Sequence, residues 1–178
     1  QDIIKILHDS DPSLNVHYDG MGTRVSKIWN SHSEYLRDPS GFEKALRWSK
    51  RVKGKSDRFK ALDADVIVTT SGMLDGGPAI WYLNRLRHDS ANAILLTGYQ
   101  APGSGGRSLV DTGIIPIYNR KTRVELEIDR FDLSNHAGRS ELVEFALKCK
   151  PRYLVLFHTP ADDVEDFADQ FGEDPPFD

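Results

Sequence analysis

Val66-Ile67-Val68-Thr69-Thr70-Ser71-Gly72-Met73-Leu74-Asp75-Gly76-Gly77-Pro78 is the stretch that decides the fold. The β-branched apolar run Val66-Ile67-Val68 reads as a strand buried on both faces, the kind that parallel sheets contain. Ser71 to Gly77 is a glycine-rich loop. Pro78, with its fixed φ and missing N–H, suits the first turn of a helix carrying Ile80, Trp81, Leu83 and Leu86. Strand, loop and helix in that order are the building unit of α/β proteins.

The same alternation extends in both directions. Downstream, Ala93-Ile94-Leu95-Leu96 is a second buried strand, followed by the flexible loop Gly103-Ser104-Gly105-Gly106-Arg107. Val124 to Ile128 alternates apolar and polar residues, so one face is exposed. Arg139 to Lys150 predicts a helix, Tyr153 to Phe157 a buried strand, and Ala161 to Phe171 a helix. Upstream, Ile3, Ile4, Ile6 and Leu7 have helical spacing in a helix that begins without an N-cap, and Leu14 to Tyr18 alternates like a strand. Thr23 caps a helix with Val25, Ile28, Trp29 and Leu36 on one face, and a further helix is expected over Phe42 to Val52. The expectation is therefore an α/β fold of three layers, a mostly parallel sheet flanked by helices, with strands near Leu14–Tyr18, Val66–Thr69, Ile94–Thr97, Val124–Asp129 and Tyr153–Phe157.

The chain has 178 residues, 39% hydrophobic and 28% charged, enough for one domain with a core and a short appendage. A net charge of -4 lacks the basic excess of a generic nucleic-acid binder, so contact with RNA or DNA would need a local patch or another domain. Lys50 to Lys55 is such a basic stretch, but as a nucleic-acid signal it is weak, and a solvated face is the simpler explanation. The single cysteine, Cys149, cannot form an internal disulfide, which fits a reducing, cytoplasmic setting. No apolar run approaches the roughly 20 residues of a membrane span, and the first residues lack the features of a signal peptide.

Functional residues of parallel α/β sheets gather at the carboxyl ends of the strands. Thr70-Ser71-Gly72, Gly98-Tyr99-Gln100, Ser134-Asn135-His136 and His158 fall there. If the strand at Val124, the helix from Arg139 and the strand at Tyr153 form a βαβ crossover, His136 and His158 share one edge of the sheet. Histidine serves as metal ligand and as acid or base. The glycine loops could cradle phosphate through backbone N–H groups, or simply make tight turns. Neither has Walker or Rossmann spacing, and no Ser-His-Asp or His-Glu-x-x-His signature exists.

Thr70-Ser71-Gly72-Met73-Leu74 with Gly76-Gly77-Pro78, then Gly98-Tyr99-Gln100 with Gly103 and Gly106-Arg107, resembles the β-CASP region of metallo-β-lactamase-fold nucleases. Ser134-x-His136-Ala137 with Glu141-Leu142 resembles that family's motif B, and His158 closing an apolar run resembles motif C. The opening helix and Asp19-Gly20-Met21 also resemble the family, so the likeness spans nearly the whole chain in the correct order. The family includes the polyadenylation cleavage nuclease, archaeal mRNA 3′-end processing factors, J-type ribonucleases and Artemis-type DNA nucleases. A histidine at motif C resembles the RNA-directed branch.

The resemblance implies a nuclease that holds two zinc ions when complete and cleaves RNA phosphodiester bonds in a cleft between two domains. On that likeness His136 is catalytic, acting on the scissile phosphate or the leaving oxygen, and His158 is a zinc ligand. Ser71, Gly72, Ser134, Gly105 and Arg107 contact the substrate. Residues 1–150 are expected to be a β-CASP domain entered part-way through, 151–172 a returning strand and helix of the metallo-β-lactamase domain, and 173–178 a frayed tail. The sequence departs from the family in three places. The His-x-His-x-Asp-His zinc motif and the acidic motif A are nowhere in these residues, Asn135 stands where glycine or alanine is usual, and His158-Thr159-Pro160 replaces His-Gly-Glu. The implied chain is inactive alone and retains no zinc. Its partners are RNA and a metallo-β-lactamase domain absent from these residues, with a homodimer left open and no membrane. The alternatives are a non-catalytic scaffold of the same family that binds RNA or a partner, and a free-standing α/β binding module.

Overall fold

The computed structural model describes residues 2–131, 133, 137–157 and 159–172. The chain divides into two compact units, Gln1–Leu133 and Ser134–Asp178.

In the first unit, helix α1 (Asp2–Ser10) leads into strand β1 (Val16–Asp19), helix α2 (Gly22–Ser31) and helix α3 (Pro39–Trp48). Asp38 caps α3 by accepting the Gly41 N–H, and Pro39 fills its first turn, so the helix lies earlier than the expected Phe42–Val52. A short strand β2 (Lys50–Arg51), helix α4 (Lys55–Ala61) and strand β3 (Val66–Thr69) follow. These strands make a parallel sheet in the order β2-β1-β3, with Val16 opposite Val66 and Tyr18 opposite both Val68 and Arg51. Ile4, Tyr18 and Ala45 pack on one side of it, and Val52, Ala61 and Tyr82 form a separate cluster.

Helix α5 (Gly77–Leu86), strand β4 (Ala93–Leu96), helix α6 (Gly105–Thr112), strands β5 (Ile114–Ile117) and β6 (Arg120–Arg123), and strand β7 (Glu127–Arg130) complete the unit. β4 and β7 pair in parallel, whereas β5 and β6 form an antiparallel hairpin. Leu83, Leu96, Leu109, Ile115, Val124 and Leu126 lie in the largest apolar cluster.

The α/β class with parallel pairing is as the sequence led us to expect, but several elements differ. The hairpin turns on Tyr118 and Asn119, both at positive φ (49° and 63°), the backbone of a two-residue hairpin loop that glycine usually marks. Gly103–Arg107, expected as loop, runs into α6 because Ser104 caps it through Oγ and the Arg107 N–H. Val124–Asp129 pairs only from Glu127, since Val124 and Leu126 turn into the core instead of joining the β4 ladder.

In the second unit, helix α7 (Arg139–Cys149) starts where the Gly138 N–H is met by Glu141, and helix α8 (Ala161–Ala168) is tied to it by Arg139–Asp166 at 2.6 Å. Tyr153–Phe157 is a correction. It pairs with no strand among the described residues, and Val155 and Phe157 are 81% and 90% exposed. A strand needs a neighbouring ladder, so among the described residues the expected βαβ crossover lacks its second strand.

Candidate active site

The strand order β2-β1-β3 creates a topological switch point. The chain leaves β1 towards β2 on one side and leaves β3 towards α5 on the other, and at such a point open α/β sheets place a ligand crevice at the carboxyl ends of the strands, here β1 and β3. Two segments edge it, Asp19-Gly20-Met21 after β1 and Thr70-Ser71-Gly72 after β3.

Asp19 is buried, and its carboxylate is fully engaged. Oδ2 accepts from Arg58 Nε at 2.6 Å and from the Tyr82 hydroxyl at 2.9 Å, while Oδ1 accepts the Gly20 N–H at 2.5 Å. Burial alone would raise the Asp19 pKa, but the Arg58, Gly20 and Tyr82 hydrogen bonds outweigh it and hold the group below the usual carboxylate range. Tyr82 is pushed well above an ordinary phenol, first by burial and then by the Asp19 carboxylate. This cluster ties β1 to α4 and α5.

Between the two segments, Thr70 Oγ1 accepts the Met21 N–H at 2.9 Å. Gly20, at φ +82°, lets the two loops approach, because a Cβ there would fall on the Thr70 hydroxyl. Ser71 has φ +79° and Leu74 φ +57°, and the Leu74 N–H closes a turn on the Ser71 carbonyl at 2.9 Å. Left-handed backbone is costly for a side-chain-bearing residue, and such strain concentrates where function needs a fixed geometry.

The loop after β4 is laced to this one. Gln100 is 2% exposed and donates Nε2 to the carbonyls of Gly72 (3.0 Å) and Gly98 (3.1 Å), while its Oε1 has no partner among the described residues. The Gly106 N–H donates to the Met73 carbonyl at 2.7 Å, and the Gly105 N–H donates to Asp75 Oδ1 at 2.7 Å. The structure thus brings Ser71 and Gly72 together with the Gly98–Gly106 loop. Gly72 lies at open surface, Gly105 is buried with its N–H spent on Asp75, and Arg107 is exposed with Nε held by Asp111 at 2.7 Å. Ser134, His136 and His158 lie outside the described residues. Sequence reasoning did not single out Arg58, Tyr82 or the clamp role of Gln100. They are far apart in sequence, and only the fold joins them.

Among the described residues no group of three or more His, Cys, Asp or Glu side chains could hold a metal ion, so they do not build a zinc site. None of their helices is long and apolar enough to cross a membrane.

Residues 2–109 match the model of the Beta-Casp domain, and residues 121–174 match that of the Zn-dependent metallo-hydrolase RNA specificity domain. The chain is similar to the probable RNase MJ4 of Methanocaldococcus jannaschii, 39% identical over 163 residues, which covers 89% of this chain and 38% of the relative. It is similar to the RNase aCSPSF2 of Saccharolobus solfataricus, 36% identical over 95% of this chain and 34% of the relative. It is also 34% identical to the transcription termination factor FttA of Methanocaldococcus jannaschii, over 86% of this chain and 27% of the relative. The chain therefore spans about a third of the length of these relatives.

Proposed function

Because this chain belongs to the β-CASP family of metallo-β-lactamase-fold nucleases, we propose that it forms one wall of the RNA cleft of a zinc-dependent nuclease of the mRNA 3′-end processing type. The observation that carries this reading is the topological switch point, where such sheets open a crevice, edged by the strained Ser71 turn and buttressed by the Gln100 loop. Such a crevice is where open α/β sheets place their ligands.

On this reading Ser71 and Gly72 face the RNA backbone at the crevice mouth. Arg107 offsets phosphate charge from the neighbouring loop, with Gly105 setting the start of its helix. Ser134 positions the scissile phosphate, and His136 gives a proton to the leaving oxygen or holds the phosphate as charge develops. Bound zinc in this family activates a water and stabilises negative charge on the phosphoryl oxygens. His158 is the ligand this chain contributes, the remaining ligands coming from the metallo-β-lactamase domain. Residues 1–150 are the β-CASP part, and 151–172 return to that second domain. The exposure of Val155, beside a groove lined by Leu142, Phe145, Leu156 and Phe167, supports an interaction surface there, since apolar patches of this kind mark such surfaces.

The test uses the polypeptide that joins this chain to a metallo-β-lactamase domain. It should cleave RNA, lose that activity to a chelator, and hold less zinc as His158→Ala. The isolated chain should do none of the cleavage. Binding of RNA without cleavage by the joined protein would assign the chain to the non-catalytic scaffold instead.

A further inference from the structure

Away from the crevice, α2 and α3 enclose a groove of about 280 Å³ over the β1–β2 face of the sheet. Its lining includes Tyr18, Lys27, Asn30, Glu43, Arg47 and Arg51. Glu43 is taken by an ion pair with Arg47. Lys27 and Arg51 have no ion-pair partner among the described residues, so the groove carries two uncompensated cations in a chain whose net charge is -4. Tyr18 is 8% exposed and lines the groove wall. A phenol at a groove wall can donate its O–H to an acceptor that enters the groove.

Tyr18 and Arg51 are register partners across β1 and β2. Successive strand residues point to opposite faces, so Tyr18 turns away from the face on which Asp19 meets Arg58 and Tyr82. The groove is thus separate from the Asp19 cluster. A guanidinium, an ammonium, a phenol and an amide converging on one space match the oxygens of a phosphate group. The groove lies just below the roughly 300–1,000 Å³ typical of small-molecule pockets, which suits one phosphate with its sugar better than a whole cofactor.

We propose that the groove between α2 and α3 is a second phosphate site, which grips a backbone phosphate of single-stranded RNA outside the switch-point crevice. The choice of RNA rests on the function proposed above. The site also absorbs Arg51 of the Lys50–Lys55 basic stretch, for which the crevice has no use.

The test is fluorescence anisotropy of a labelled oligouridylate with the 178-residue chain at several salt concentrations. Lys27 and Arg51 are exposed, so their replacement should leave unfolding midpoints unchanged. Arg51→Gln should weaken RNA binding about tenfold, the worth of one charge-assisted hydrogen bond. It should also lower the slope of log K against log salt by about 0.7, the value for one single-strand phosphate contact. Tyr18→Phe should weaken binding by a smaller factor with the slope unchanged. Wild-type affinity and slope in a folded Lys27→Gln, Arg51→Gln double variant would overturn the site, as would absence of RNA binding by the wild-type chain. Inorganic phosphate that binds here without affecting RNA would make it a free-anion site and equally refute the proposal. None of these results bears on RNA cleavage by the joined protein, so the two readings fail separately.

Discussion

Gln100, on the loop after β4, donates its side-chain amide to the carbonyl of Gly72, on the loop after β3, at 3.0 Å. The contact holds the two glycine-rich loops in one arrangement, and Gly106 makes room for it: a Cβ at Gly106 would fall on Gln100 Oε1. Gln100 is buried and bonded twice, so its side chain cannot swing aside without losing both bonds. Gly106→Ala should therefore destabilise the chain by about 1–3 kcal/mol, the usual cost of overpacking. Gly72→Ala, with nothing within 4 Å of the added methyl, should stay within about 0.5 kcal/mol of wild type. Denaturant unfolding checks both.

The Asp19 cluster gives a second prediction. Asp19→Ala strands the Arg58 guanidinium and the Tyr82 hydroxyl and should cost about 3 kcal/mol, the low end for breaking a buried pair. The low end applies because the Arg58 side chain is 34% exposed and water can reach it. Tyr82→Phe removes only one hydrogen bond to a charged group and should cost about 1.5 kcal/mol. Equal losses in thermal unfolding would contradict this ordering.

Stability should fall on acidification in two steps. His17 is buried with Nδ1 unpaired among the described residues, and burial, then the Lys50 cation, lowers its pKa. The unfolded chain therefore takes up a proton first, and stability declines as pH drops below the ordinary imidazole value of 6.5. The Asp19 carboxyl is also depressed, so its contribution is present above 3.8 and disappears as pH falls through its lower folded value. His17→Leu should flatten the first step and leave the second. Unfolding midpoints measured from neutral to acid pH decide it.

The parts of this molecule legible in the sequence are those set by local chemistry. Val66–Thr69 is a strand because four consecutive β-branched residues favour one, and Pro78 sits in the first turn of α5 because its ring suits that position. What depended on tertiary arrangement was not legible. Asp19 lies 39 residues from Arg58 and 63 from Tyr82, so no spacing announces their contact. The β5–β6 hairpin was hidden because Tyr118 and Asn119 occupy a turn that glycine usually signals. The apolar run Tyr153–Phe157 indicated side chains suited to burial but not which partner would cover them, and in this chain they lie largely at the surface.

The most direct test of the proposed function is RNA cleavage by the polypeptide that joins this chain to a metallo-β-lactamase domain, as wild type and as His136→Ala, with zinc content measured in parallel. If His136 acts on the phosphate and not on the metal, the variant should keep its zinc and lose about 100- to 10,000-fold in cleavage rate, the usual worth of a general acid or base. Cleavage by the His136→Ala protein at the wild-type rate would contradict that account.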